Sequence, residues 1–151
     1  MSTGDDLVRR FRVMAVDGLP APHVLWKCRW AALHERLTGE HGDDAEGCRR
    51  AFAAFIDQLG PERIAECPKH GPKWRLAAEI AASLVVSDRS PSPDEIERAL
   101  NAAGADNDTW WAVDSFFDGE PIFLSGDRLG NGQHRACALK VSGAAVCPVA
   151  D

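Results

Sequence analysis

A chain of 151 residues is about one domain's length, enough to bury roughly two-thirds of the surface its unfolded form exposes. Its 45% hydrophobic and 26% charged residues are those of an ordinary globular protein and exclude a disordered chain. A net charge of −6 excludes a broad basic face that would hold duplex DNA through phosphate neutralisation alone.

No stretch approaches a membrane span, and the acidic, polar start from Met1 to Asp6 lacks the apolar core of a secretory leader, so a cytoplasmic protein with no membrane partner is expected. Five cysteines, Cys28, Cys48, Cys67, Cys137 and Cys147, then read as reduced thiols rather than a disulfide framework. A zinc site would have to pair Cys67-Pro68-Lys69-His70 with Cys28, His34, His41 or Cys48, and no second pair with two-residue spacing exists. Arg9, Arg10 and Arg12, the pair Arg49-Arg50, and Lys69 to Arg75 form small basic clusters. None makes a run of five, so solvated surface is their simplest reading.

Phe11 to Val16 alternates large apolar and other residues before the turn Asp17-Gly18-Leu19-Pro20, which predicts a strand. From Pro22, Trp26, Trp30, Leu33 and Leu37 recur at the spacing of a buried helical stripe, with Gly39 as its stop; the tryptophans read as core, with a stacking platform for bases as the alternative. A second helix follows from Cys48 to Leu59, then a short turn of helix from Pro61 to Glu66. Cys67 to Pro72, with two prolines and a glycine, predicts a constrained loop. Trp74 to Val85 reads as a third helix, broken at Asp88-Arg89-Ser90-Pro91.

Ser92-Pro93-Asp94-Glu95 is a capping box that opens a helix ending at Gly104. Asp108 is the expected cap of a shorter helix, Trp110 to Phe117, whose Trp111, Ser115 and Phe116 would pack beneath the glycine loop that follows. Ile122 to Leu124 and Arg128-Leu129 flank the turn formers Ser125-Gly126-Asp127 as a hairpin, Gln133 to Val141 makes a helix with one buried and one solvated face, and Ala144 to Val149 a last strand. These elements predict an α+β fold: a helix-rich single domain over residues 1–151, with one core, four or five helices in 20–118, and a small mixed sheet formed mainly by the C-terminal segment.

Chemistry concentrates between Gly130 and Arg135. Glycines let the backbone approach a ligand, and the helix that follows presents unpaired N–H groups and a positive dipole end, an arrangement suited to an anion. His134 and Arg135 fall in the first turn, where a cation opposes the macrodipole unless something negative is bound.

Gly119-Glu120-Pro121-Ile122, then Arg128-Leu129-Gly130-Asn131-Gly132-Gln133-His134-Arg135, Ala138 and Ser142-Gly143, resemble the Asp/Asn-Gly-Gln-His-Arg signature of the ParB/sulfiredoxin-like superfamily, and are most similar to the small ParB-like proteins of phage and mobile elements. The resemblance covers about forty residues, and residues 119–151 would be the ParB-like segment. Members include CTP-hydrolysing DNA-partition clamps, a free-serine kinase and ATP-using sulfinic acid reductases. It implies that Asn131, Gly132, Gln133, His134 and Arg135 bind the phosphates of a nucleoside triphosphate, ATP or CTP, with Mg²⁺. Gln133 stands where the reductases carry their catalytic cysteine, so sulfinic acid reduction is not implied. In partition proteins much of the helical portion follows the motif, whereas here residues 20–118 precede it.

The function expected is that of a nucleotide- and phosphate-binding protein, with NTP hydrolysis or phosphoryl transfer as its chemistry. Arg135 and His134 would face the ligand and stabilise the transferred group, and Glu120 and Asp127 would be carboxylates for the magnesium ion, with Glu120 also the candidate base. Each residue has a plainer reading: glycine turns, a surface histidine, a solvated arginine and loop carboxylates. The alternative function is a non-enzymatic interaction or regulatory protein whose helical surface, around Trp26, Trp110 and Trp111, docks a protein partner on a degenerate ParB-like scaffold. DNA is the partner least supported by the acidic balance, and no paired carboxylate motif points to a nuclease.

Overall fold

The computed structural model describes residues 10–67, 73–86, 89–118 and 120–151. Arg9 and most of the expected loop from Cys67 to Pro72 therefore lie outside the described residues, as does Gly119.

The fold is α+β, with seven α-helices and a four-stranded mixed sheet among the described residues. Six of the helices fall in residues 20–118, against four or five expected there, and the seventh is the one expected from Gln133. β1 (Phe11–Ala15) pairs antiparallel with β4 (Val146–Ala150), and β2 (Phe123–Ser125) pairs antiparallel with β3 (Arg128–Asn131). The two ribbons join where β2 meets β4 in parallel at Phe123 and Ala150, giving the order β1-β4-β2-β3.

The helices are α1 (Ala31–His41), α2 (Ala45–Leu59), α3 (Pro61–Ala65), α4 (Lys73–Ser83), α5 (Pro93–Ala103), α6 (Asn107–Ser115) and α7 (Gln133–Ser142). Local signals account for several boundaries. The capping box at α5 forms in full, Glu95 N–H donating to Ser92 Oγ at 3.1 Å while Ser92 N–H donates to the Glu95 carboxylate at 2.8 Å. Gly104 closes α5 in the left-handed conformation. α6 is capped two residues earlier than expected: Asp106, not Asp108, accepts the Thr109 N–H at 2.8 Å. α1 runs through Gly39 and stops at Gly42, whose φ of 99° no other residue type adopts readily.

The helix expected from Pro22 forms only in its second half, which carries Leu33 and Leu37. Pro22 to Trp30 is a chain of turns, Trp26 is 69% exposed, and α1 starts only at Ala31. The reason lies far away in sequence: the His23 N–H donates to Gln133 Oε1 at 2.9 Å and the Lys27 N–H to His134 Nε2 at 3.0 Å. The Lys27 N–H, which a helix would use internally, is taken by a side chain of α7, and the His23 N–H ties the start of the segment to the same helix.

The single core expected is instead two hydrophobic clusters on either side of α7. One joins the sheet to α4, α5 and α6 through Phe11, Trp74, Leu100, Phe116, Ile122 and Val149. The other, with Leu25, Leu37, Phe52, Phe55 and Ile64, lies among α1, α2 and α3. α7 sends Ala136, Ala138 and Leu139 into the first and Cys137 into the second. Four consecutive residues of α7 are thus buried, and the one buried face expected for it is replaced by burial on both sides, as befits a helix packed all round. Cys137 and Cys147 are buried packing residues, and their thiols are pushed above the usual range by desolvation.

Candidate functional site

The start of α7 forms the floor of a cavity of about 550 Å³, within the range that holds a small-molecule ligand. Asn131, Gly132, Gln133, His134 and Arg135 all line it, together with Glu120, Trp26, Lys27, Trp111, Ser115 and Asp118. The five motif residues are therefore brought together, and Glu120 with them.

Their side chains, however, are engaged with the protein. Asn131 Nδ2 donates to the carbonyls of Glu120 at 2.9 Å and Pro121 at 3.0 Å, holding the chain that enters β2. Gln133 Nε2 donates to the Leu129 carbonyl at 3.1 Å while its oxygen takes the His23 N–H. His134 Nε2 accepts the Lys27 N–H, so the neutral ring carries its proton on Nδ1. The Arg135 guanidinium donates to the Ser115 carbonyl at 2.7 Å and to the Glu120 carbonyl.

Arg135 thus departs from the expectation that it faces a ligand rather than the protein. Its charge, out of place at the N-terminus of α7, sits at the C-terminus of α6, where carbonyl groups and the dipole favour a cation. Burial lowers its pKa, with the nearby Glu120 charge opposing the shift. The first-turn cation that suggested a phosphate has its compensation within the fold.

Besides the Glu120 and Asp118 carboxylates, what remains at the cavity is backbone and three side chains that sequence reasoning did not combine. Gly132 enters α7 at φ 96° with no side chain to cap the helix, and first-turn amides have no acceptor inside a helix. A Cβ at Gly132 would lie 2.7 Å from Ile122 Cγ1, so the position is closed to other residues by packing as well as by its φ. Lys27 adds an ammonium, 5.2 Å from the centroid of the Trp26 ring. Trp26 and Trp111, 69% and 64% exposed, supply two broad aromatic surfaces; Trp111, expected beneath the glycine loop, stands at the rim instead. The Trp26-Lys27 pair, basic beside aromatic, was the signal in the sequence that periodicity concealed.

Asp127 is apart from all this. It occupies the β2–β3 turn, whereas Asn131 and Glu120 meet at the open end of the same hairpin, so Glu120 and Asp127 do not form a joint metal site. Asp118, also on the cavity wall, is the carboxylate that accompanies Glu120. Among the described residues no three His, Cys, Asp or Glu side chains cluster to hold a metal, and no helix is long and apolar enough to cross a membrane. Compared with protein-family models, with curated proteins and with solved structures, the chain matches none.

Proposed function

We propose that this cavity binds a nucleotide, with the phosphates at the first turn of α7 and the base against Trp26 or Trp111. The observation that carries the reading is the meeting, in one cavity, of an uncapped helix N-terminus, the Lys27 ammonium and two exposed indole faces. Backbone amides and a lysine recognise phosphate, and an indole stacks on any base, so the set suits a nucleotide better than a free anion or an apolar ligand. The motif side chains act as the frame: they hold residues 22–30 and 115–121 around the amides rather than touching the ligand themselves. The resemblance to ParB-like proteins supports the same choice of ligand, a nucleoside triphosphate such as ATP or CTP.

Magnesium fits this frame in a limited way. Such ions are commonly held by phosphate oxygens with one or two carboxylates, and Asp118 and Glu120 supply these without Asp127. Bound there, the ion would neutralise charge on the phosphates, the chemistry that hydrolysis or phosphoryl transfer requires. Glu120 stays the candidate base, and the turn-forming Asp127 has no role.

Calorimetry with ATP, CTP, GTP and UTP, with and without Mg²⁺, tests the reading. Saturable binding that weakens in Lys27→Ala and Trp111→Ala variants supports it; absence of binding to all four removes it. A protein-interaction role is the second reading, favoured by the exposure of Trp26 and Trp111, since large aromatic residues anchor interfaces. Duplex DNA is not part of either reading.

A further inference from the structure

Helices α5 and α6 frame a second and larger cavity, of about 790 Å³. Pro93, Ile96, Glu97 and Leu100 recur along α5 at helical spacing, and Asn107, Trp110, Trp111 and Asp114 recur along α6 at the same spacing. Each set is one stripe of its helix, and both stripes line the same space. Phe117 and Asp118, just past the end of α6, line it too.

The walls are largely apolar and held in place by the core. Ile96 and Leu100 are buried, and Phe117 stands edge-on to Phe11, 5.0 Å between ring centroids. Trp111 stands edge-on to the buried Trp74 at 6.3 Å. The charges, by contrast, are of one sign. Glu97, Asp114 and Asp118 supply three carboxylates, and none of the described lining residues is Lys, Arg or His. None of the three makes an ion pair among the described residues. The Asp118 N–H donates to the Asp114 carbonyl at 3.0 Å, so these two carboxylates stand one helical turn apart. Burial, and after it the Asp118 charge, push the Asp114 carboxyl up, and no cation opposes the shift.

We propose that this cavity binds a small organic cation, an ammonium group on an apolar or aromatic body, with the ammonium at Asp114 and Asp118 and the body among Ile96, Leu100 and the Trp110 and Trp111 rings. An indole face attracts an ammonium through its quadrupole, and the carboxylates supply charge-assisted partners. A neutral ligand would leave those carboxylates unpaired beside it, and an anion would be repelled by all three. Magnesium or calcium would make no use of the apolar walls. The volume is that of a space enclosing a small molecule. Trp111 and Asp118 also line the nucleotide cavity, whereas Trp110 and Asp114 do not, so the site is probed through the latter two and without nucleotide.

The protein is titrated by calorimetry with phenethylammonium and benzyltrimethylammonium, and for comparison with phenethyl alcohol and hydrocinnamate, which carry the same ring without the positive charge. Saturable binding of at least one cation is expected, about tenfold or more tighter than the alcohol or the carboxylate. Asp114→Asn and Trp110→Ala should each weaken it about fivefold or more, while Asp127→Asn, the same loss of charge in the β2–β3 turn, should leave it unchanged. Asp114 is exposed, so its variant keeps the fold; if circular dichroism shows Trp110→Ala unfolded, Asp114→Asn decides alone. Failure of both cations to bind, equal binding of the alcohol, or wild-type affinity in folded Asp114→Asn overturns the proposal.

Discussion

The guanidinium of Arg135 donates to the carbonyl of Ser115 at 2.7 Å, joining the first turn of α7 to the last residue of α6. A second arm of the same fork reaches the Glu120 carbonyl. One side chain therefore closes the helix that precedes the cavity and fixes the strand entry on its far side.

Arg135→Ala is accordingly a stability variant before it is a binding variant. Removing two charge-assisted hydrogen bonds should cost about 2–4 kcal/mol in urea denaturation. Arg135→Lys should recover only part of that, because an ammonium cannot span two carbonyls as a planar fork does. Wild-type stability in Arg135→Ala would refute the structural role given to it.

Trp111→Ala and Lys27→Ala should behave in the opposite way. Both side chains are exposed, so their midpoints in denaturant should stay near wild type, while nucleotide affinity falls. Loss of stacking on Trp111 corresponds to about 1–3 kcal/mol, or roughly 5- to 150-fold in Kd. Calorimetry on variants of matched stability separates this outcome from simple unfolding.

Two glycines with positive φ should respond differently to alanine. At Gly143, φ is 79° and a Cβ meets nothing within 4 Å, so Gly143→Ala should cost only about 1 kcal/mol of backbone strain. At Gly132 the strain is joined by a collision with Ile122, including its Cα at 3.3 Å, and about 3 kcal/mol or more is expected. Paired thermal melts of the two variants check the order; equal losses would show that the turn yields where the packing says it cannot.

Glu95 provides a pH test. Its carboxyl is held down to about 2, first by the Arg89 guanidinium and then by the Ser92 N–H. A depressed carboxylate contributes its full stability above the ordinary carboxylate range, near 4.5, and loses it as the pH falls toward 2. Glu95→Gln should therefore flatten the stability profile between about pH 4.5 and 2 and leave the slope above pH 6 unchanged, as read from denaturation midpoints across pH.

Legibility in the sequence followed the range of the forces involved. The box at Ser92 and Glu95, the stop at Gly104 and the hairpin around Gly126 are decided within a few residues, and local chemistry reveals them. The course of Pro22 to Trp30 is decided by Gln133 and His134, 110 and 107 residues away, so its helical spacing misleads. Arg135 was identified as a motif residue, yet its partners are backbone carbonyls, which carry no side-chain signature to read. Asp127 seemed near the loop because it is near in number; a hairpin places its turn and its open end at opposite extremes.

The strand order has a consequence for how the sheet assembles. β4 lies between β1 and β2, touching both, although it follows every other described element in the sequence. Among the described residues β1 has β4 as its one strand neighbour, and the β2–β3 ribbon meets the rest of the sheet only through that same strand. Folding of the sheet is therefore non-local: β1 and the β2–β3 ribbon are joined only when Val146 to Ala150 takes its place between them.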